Sequence, residues 1–252
     1  MEPIRRIEQE YRVRFDEADA EGWLRPSGLL RYAQDMAWRH SELVGFDRDW
    51  YDERDMAWLV RNVMVDISSR ITYGDVLLVS TQVVGWRHVW ARRRCEIVRV
   101  GSSAGQVEPR HAATVVTDWV LLTSAGRPAK VPENFARSFS PDAGFTRERV
   151  ILPDPTGTVS TLSTRVRPLD VDPMRHMNNA AYLDMVDDGL ARLPQAQRIG
   201  TPDCYRIGYV APALPDTAID IDCWPVSERQ VACRISRADG GELTKVLARR
   251  RD

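Results

Sequence analysis

Four histidines serve the whole 252-residue chain, and one of them, His176, stands two residues ahead of an Asn178-Asn179 pair. The surrounding run is LDVDPMRHMNNAAYLDMV, Leu169–Val186, with Asp170 and Asp172 just upstream. Asn is a favoured helix N-cap, since its side-chain oxygen accepts an exposed first-turn N–H. A helix start there would also present unpaired N–H groups and the positive end of the dipole, which suits an anion or a developing oxyanion. A nearby carboxylate can act as base or nucleophile, and an imidazole can move a proton or polarise a carbonyl. Asp172, His176, Asn178 and the helix start therefore form a candidate catalytic set of base or nucleophile, proton carrier and oxyanion site. The structural alternative is an Asx-turn at Asp172, an Asn cap and a half-buried, hydrogen-bonded His176.

A helix and a strand must hold these groups, and the chain carries that arrangement twice. YRVRF, an acidic loop (DEADAEG) and a helix from about Ser27 to Val44 recur as a strand near LSTRVRP, a loop (LDVDPMRH) and a helix from about Asn178 to Leu193. Aligned without gaps, Asp19 meets Asp172 and Trp23 meets His176, each 153 positions apart. Both helices show one apolar stripe at spacings of three and four. The first uses Leu29, Ala33, Met36, Ala37, His40 and Leu43, and the second Tyr182, Met185, Val186, Gly189, Leu190 and Leu193. β-Branched runs broken by Gly, Pro, Asp and Asn follow each helix, which predicts antiparallel strands. The fold class is α+β: residues 1–140 and 161–252 form two domains, joined by a Pro/Gly/Ser-rich linker at 141–160.

Composition narrows the function. There are 35 Lys and Arg against 36 Asp and Glu, too little basic excess for a nucleic-acid footprint. No apolar run approaches the ~20 residues of a membrane span, and the charged N-terminus lacks a signal-peptide core. The four cysteines form no CxxC pair and read as reduced, buried thiols of a cytoplasmic protein. No metal or redox cofactor is implied.

The motif D-x-D-x-N-x-H-V-N-N-x-x-Y resembles the opening of the central helix in acyl-acyl carrier protein thioesterases of the plant and bacterial type. Asp170, Asp172, His176, Asn178, Asn179 and Tyr182 lie in register with it. LVRNVMVDISSRITYGDVLLVSTQVVGW and DWVLLTSAGRPAKVPENF resemble further segments of the same family, so the likeness runs along nearly the whole chain. It implies two fused hotdog domains, each an antiparallel sheet wrapped round a long central helix. It also implies hydrolysis of a fatty acyl thioester on acyl carrier protein, with the chain acting as a monomer or homodimer and the acyl group entering the first half. Catalytic Asp, Asn, His and Glu are implied in the second half. The Asp and His fall on Asp172 and His176, but Met174 occupies the Asn position and Pro212 the Glu position. Two rival readings stay open, a non-catalytic acyl-binding module and a hotdog hydratase, with acyl-CoA as the alternative carrier.

Other groups read more plainly. Asp19 is expected to be structural, because Trp23 and Arg25-Pro26 replace the His and Asn-Asn. His40 reads as a satisfied core or pocket histidine, and His88 and His111 as surface residues without an acid partner. WRHVWARRRCEI reads as an exposed strand face, or as a basic patch for an acidic carrier protein.

Overall fold

The computed structural model describes residues 5–103, 105–139 and 148–251. They fall into two compact units, residues 1–61 with 67–147, and residues 62–66 with 148–252. The expected linker at 141–160 lies outside the described residues as far as 147; residues 148–159 carry no helix or strand.

The first unit begins with β1 (Arg6–Arg12), followed by α1 (Pro26–Leu43) and the short α2 (Arg48–Asp52). Next come β2 (Met56–Ile67), β3 (Val76–Arg87), β4 (Trp90–Ser102), β5 (Gly105–Thr123) and α3 (Glu133–Ser138). Its sheet runs in the order β1-β3-β4-β5-β2. Edge strand β1 alternates exposed and half-buried residues. Its exposed positions include Arg6, Glu8, Glu10 and Arg12, charges that discourage edge-to-edge pairing. Pro26 opens α1 at a position that needs no N–H donor. The predicted stripe is buried from Leu29 to His40. Leu43 departs from it at 60% exposed, because the last residue of the helix lies beyond the sheet-facing turns.

In the second unit, β6 (Ser160–Arg165) leads to α4 (Asn179–Ala191) and then β7 (Cys204–Tyr209), β8 (Ala218–Ser227), β9 (Gln230–Arg237) and β10 (Glu242–Arg249). Its strands run β7-β10-β9-β8-β6, and Asn62–Asp66 pairs antiparallel with β7. α4 lays Tyr182, Met185, Val186 and Gly189 on the sheet. Gly189 permits close approach, since a Cβ there would lie 2.9 Å from Cys223 Sγ and 2.9 Å from Ile221 Cγ2.

The expectation of four reduced thiols is corrected. Cys223 and Cys233 stand opposite one another in the β8–β9 pair, with Cα atoms 4.3 Å apart, and are joined by a disulfide. Cys95 and Cys204 are free and buried. The hairpin register creates the pairing, and a spacing of ten residues in sequence does not announce it.

The arginine run is also corrected. Successive β4 residues alternate between the two sheet faces, so Arg93 falls on the inward side with Ala91, Cys95 and Ile97. Arg92 is bound bidentately to buried Asp118, through Nε at 2.6 Å and Nη2 at 2.9 Å. Arg94 is paired with Glu96. Three of the run's four arginines are thus turned inward or bound to acids, and Arg87 is exposed. His111, too, has an acid: its Nε2 lies 2.8 Å from Glu96 Oε2, across the β4–β5 pair. No helix among the described residues is long and apolar enough to cross a membrane.

Candidate active site

The loop between β6 and α4 is shaped mainly by backbone bonds. A 3-10 turn at Pro168–Asp170 is closed by buried Asp170, whose carboxylate accepts the Arg167 backbone N–H (2.9 Å), Nε (3.0 Å) and Nη2 (2.7 Å). The Asp170 carbonyl accepts the Asn178 N–H at 2.7 Å. Asp170 thus anchors the chain where the helix begins.

Asp172 follows, half-buried. Its N–H donates to the His176 carbonyl (2.9 Å) and its carbonyl accepts the Arg175 N–H (2.8 Å). Its Oδ1 accepts the Met174 N–H at 2.9 Å, an Asx-turn. Its Oδ2 accepts the Asn178 amide at 3.4 Å. Burial raises the Asp172 pKa, opposed by the Met174 N–H, the nearby His176 and the Asn178 amide. The carboxylate is therefore a stronger base than an ordinary aspartate, and it is held in one place.

Asn178 is the N-cap: its Oδ1 accepts the Ala180 N–H at 2.9 Å, and its carbonyl accepts the Ala181 N–H at 2.9 Å. Cap and carboxylate clamp belong to one side chain. The first-turn bonds just described do not use the Asn179 N–H. His176 is half-buried between Arg175 and buried Met177. The structure thus brings Asp172, His176 and Asn178 together at the start of α4.

The segment after β7 covers the other side. Met177 N–H donates to the Ala213 carbonyl at 2.9 Å, and Ala213 N–H donates to the Tyr182 hydroxyl at 3.0 Å. The Tyr182 and Tyr209 rings meet edge to face at 5.4 Å, and Tyr209 Oη donates to the Asn179 carbonyl at 2.8 Å. Burial pushes the Tyr182 pKa up to about 12, so its hydroxyl keeps its proton. Tyr182 belongs both to the apolar stripe and to the motif in register, and its hydroxyl ties the helix to this segment. Pro212 is exposed and Met174 is 46% exposed, so neither position supplies a polar side chain.

The first unit holds the same loop 153 residues earlier. Glu17 accepts the Arg14 N–H, and its carbonyl accepts the Arg25 N–H. Asp19 accepts the Glu21 and Trp23 N–H groups on Oδ1 and donates its own N–H to the Trp23 carbonyl. Gly22, at φ 83°, corresponds to Arg175, at φ 62°. The reactive groups do not correspond. The Trp23 ring lies under the Arg70 guanidinium at 3.3 Å, and Arg25 donates to the Asp16 carbonyl. An Asx-turn is thus a property of the scaffold, and the imidazole and amide of the second unit are what set its loop apart.

Residues 5–139 match the acyl-ACP thioesterase N-terminal domain, and residues 154–246 match the acyl-ACP thioesterase C-terminal domain. Among solved structures, the chain is similar to an oleoyl thioesterase from Lactobacillus plantarum, with 21% identity over 96% of this chain and 93% of that one and a TM-score of 0.81. An acyl-ACP thioesterase from Bacteroides thetaiotaomicron shares 14% identity over 97% of each chain, with a TM-score of 0.80. A 12:0-ACP thioesterase from Umbellularia californica shares 16% identity over 97% and 96%, with a TM-score of 0.76. Among curated proteins none matches the chain. These similarities establish the tandem hotdog fold.

Proposed function

Because the chain belongs to the acyl-ACP thioesterase family, we propose that it hydrolyses fatty acyl thioesters carried on acyl carrier protein and releases the free fatty acid. The observation that carries this reading is Asp172, a desolvated carboxylate fixed beside His176 at a helix start. Asp172 takes a proton from water as the water oxygen attacks the thioester carbonyl carbon. The oxyanion so formed is stabilised by the Asn179 N–H and the positive end of α4. His176 lies beside the developing charge. When the tetrahedral intermediate collapses, the carbon–sulfur bond breaks and the proton held by Asp172 returns to the thiolate. Products are a carboxylic acid and a free thiol, so atoms and charge balance. Asn178 positions Asp172 and caps the helix.

Met174 and Pro212 favour a second reading, an acyl-binding module without turnover, since the family's Asn and Glu positions bear no polar side chain here. Hydrolysis of acyl-acyl carrier protein and acyl-CoA by the purified protein, by Asp172→Ala and by His176→Ala decides among these. Faster turnover of the carrier-protein thioester, lost in the Asp172 variant, is expected. Unchanged turnover in both variants would remove the site assignment. Equal turnover of the CoA thioester would remove the carrier assignment. Tight acyl binding without hydrolysis would establish the binding module.

A further inference from the structure

Arg93 is a charged residue in a core position. It is 7% exposed on the inward face of β4, and His40 beside it is fully buried. Its Nη1 lies 2.8 Å from His40 Nδ1 and 3.5 Å from Thr81 Oγ1. Guanidinium only donates, so His40 Nδ1 is the acceptor in this contact. Both bonds go to Nη1. The side-on fork of Nε and Nη2 has no protein acceptor among the described residues. Arg92 and Arg167 use that same fork to hold Asp118 and Asp170.

Among the described residues no carboxylate pairs with this charge. Tyr51 and Cys95 are the acidic neighbours that Arg93 feels, and burial raises both pKa values, that of Cys95 to about 12. Burial lowers the Arg93 pKa only to about 10, so it stays cationic at neutral pH. Burying a charge without a partner is costly. The surroundings are otherwise aromatic: Phe139 meets His40 edge to face at 5.2 Å and packs with Phe46 and Phe135, while Trp58 Nε1 donates to the Tyr51 hydroxyl at 3.0 Å.

We propose that the Arg93 fork in the first unit, flanked by His40 and Tyr51, is a receptor for the carboxylate of an apolar acid of the fatty-acid class. One guanidinium fork matches one planar monoanion bidentately, and the aromatic residues suit an alkyl tail. A phosphate dianion would call for further cations, and among the described residues none pairs with Arg93. The proposal stands on the first unit and does not depend on the hydrolytic reading.

Calorimetric titration of the full chain with octanoate and with octan-1-ol tests it without a thioester. Octanoate is expected to bind about tenfold or more tightly than the alcohol, the scale of hydrogen bonds to a charged group. Arg93→Met should abolish that preference while leaving alcohol binding, and Arg93→Lys, which keeps the charge without the fork, should lose most of it. Asp172→Asn should keep the preference, which separates this receptor from binding of a fatty acid at the candidate active site. Absent octanoate binding or equal affinity for the two ligands in the parent protein overturns the proposal, even if Arg93→Met does not fold. So does a preference that survives Arg93→Met or disappears in Asp172→Asn.

Discussion

Asp172→Asn and Asp19→Asn form a matched pair, because the two aspartates hold the same loop while one alone stands beside an imidazole. At position 19 the Asn oxygen can still accept the Glu21 and Trp23 N–H groups, now 3.1 and 2.8 Å from Oδ1. At position 172 it can still accept the Met174 N–H, while the amide that replaces Oδ2 faces the Asn178 amide donor. Losing that bond to a charged acceptor costs about 1.5–3 kcal/mol before compensation. Removing a desolvated charge offsets part of it, so a net loss of about 1 kcal/mol is expected, with less at position 19. Both variants should therefore fold. Their catalysis should differ sharply. A lost general base costs roughly 10²–10⁴-fold in rate, about 3–5 kcal/mol of barrier. Thiol release from an acyl thioester, followed alongside urea denaturation, reads both quantities. Asp19→Asn at parental turnover with Asp172→Asn nearly inactive is the expected result. Parental turnover in Asp172→Asn, or equal losses in the two variants, would refute the assignment of the base.

The raised Asp172 pKa places the acidic limb of kcat/KM above the ordinary aspartate value of 3.8, and a pH–rate profile should show that limb in the parent and not in the residual activity of Asp172→Asn. In stability the sign is the reverse of a salt-bridged acid. The folded state holds this proton more tightly than the unfolded chain, so this group's contribution falls as pH rises from 3.8 through the folded pKa, as acid-range urea melts of parent and Asp172→Asn would show. Gly189→Ala drives a Cβ to 2.9 Å from both Cys223 and Ile221. Overpacking of about 1–3 kcal/mol should exceed the roughly 1 kcal/mol gained in helix propensity, and calorimetry should show a lower Tm. Arg175→Gly relieves a left-handed conformation that costs about 1–2 kcal/mol, against the roughly 0.5–1 kcal/mol entropy of glycine. Its denaturation midpoint should rise slightly, whereas Gly22→Ala, at φ 83° and with its Cβ 3.3 Å from Tyr73, should lower it.

Much of this was legible because the chain repeats itself. The acidic loops and amphipathic stripes marked both helices to within a few residues: about Ser27–Val44 against Pro26–Leu43, and about Asn178–Leu193 against Asn179–Ala191. The Asn178 cap could be read locally, since capping joins residues two apart. What escaped depends on strand register. Nothing near Arg93 in sequence says that it faces inward while Arg92 meets Asp118, because that follows from pleat and pairing over 26 residues. The Cys223–Cys233 pair and the His111–Glu96 contact escaped for the same reason. Short α2 and α3 were missed as well, since five and six residues are too few for a helical period to show.

The twin loops carry a consequence for how such a chain can change. The bonds that shape them run largely between main-chain groups and two acids per loop, Glu17 and Asp19 or Asp170 and Asp172. Positions 23 and 25, or 176 and 178, ride on that frame without being needed to build it, apart from the cap at Asn178. Two copies can therefore drift apart in chemistry while each keeps its shape. One carries a tryptophan under an arginine, and the other carries an imidazole. The first loop is in effect a mount, already aligned with a helix start, on which a reactive set could be installed one side chain at a time.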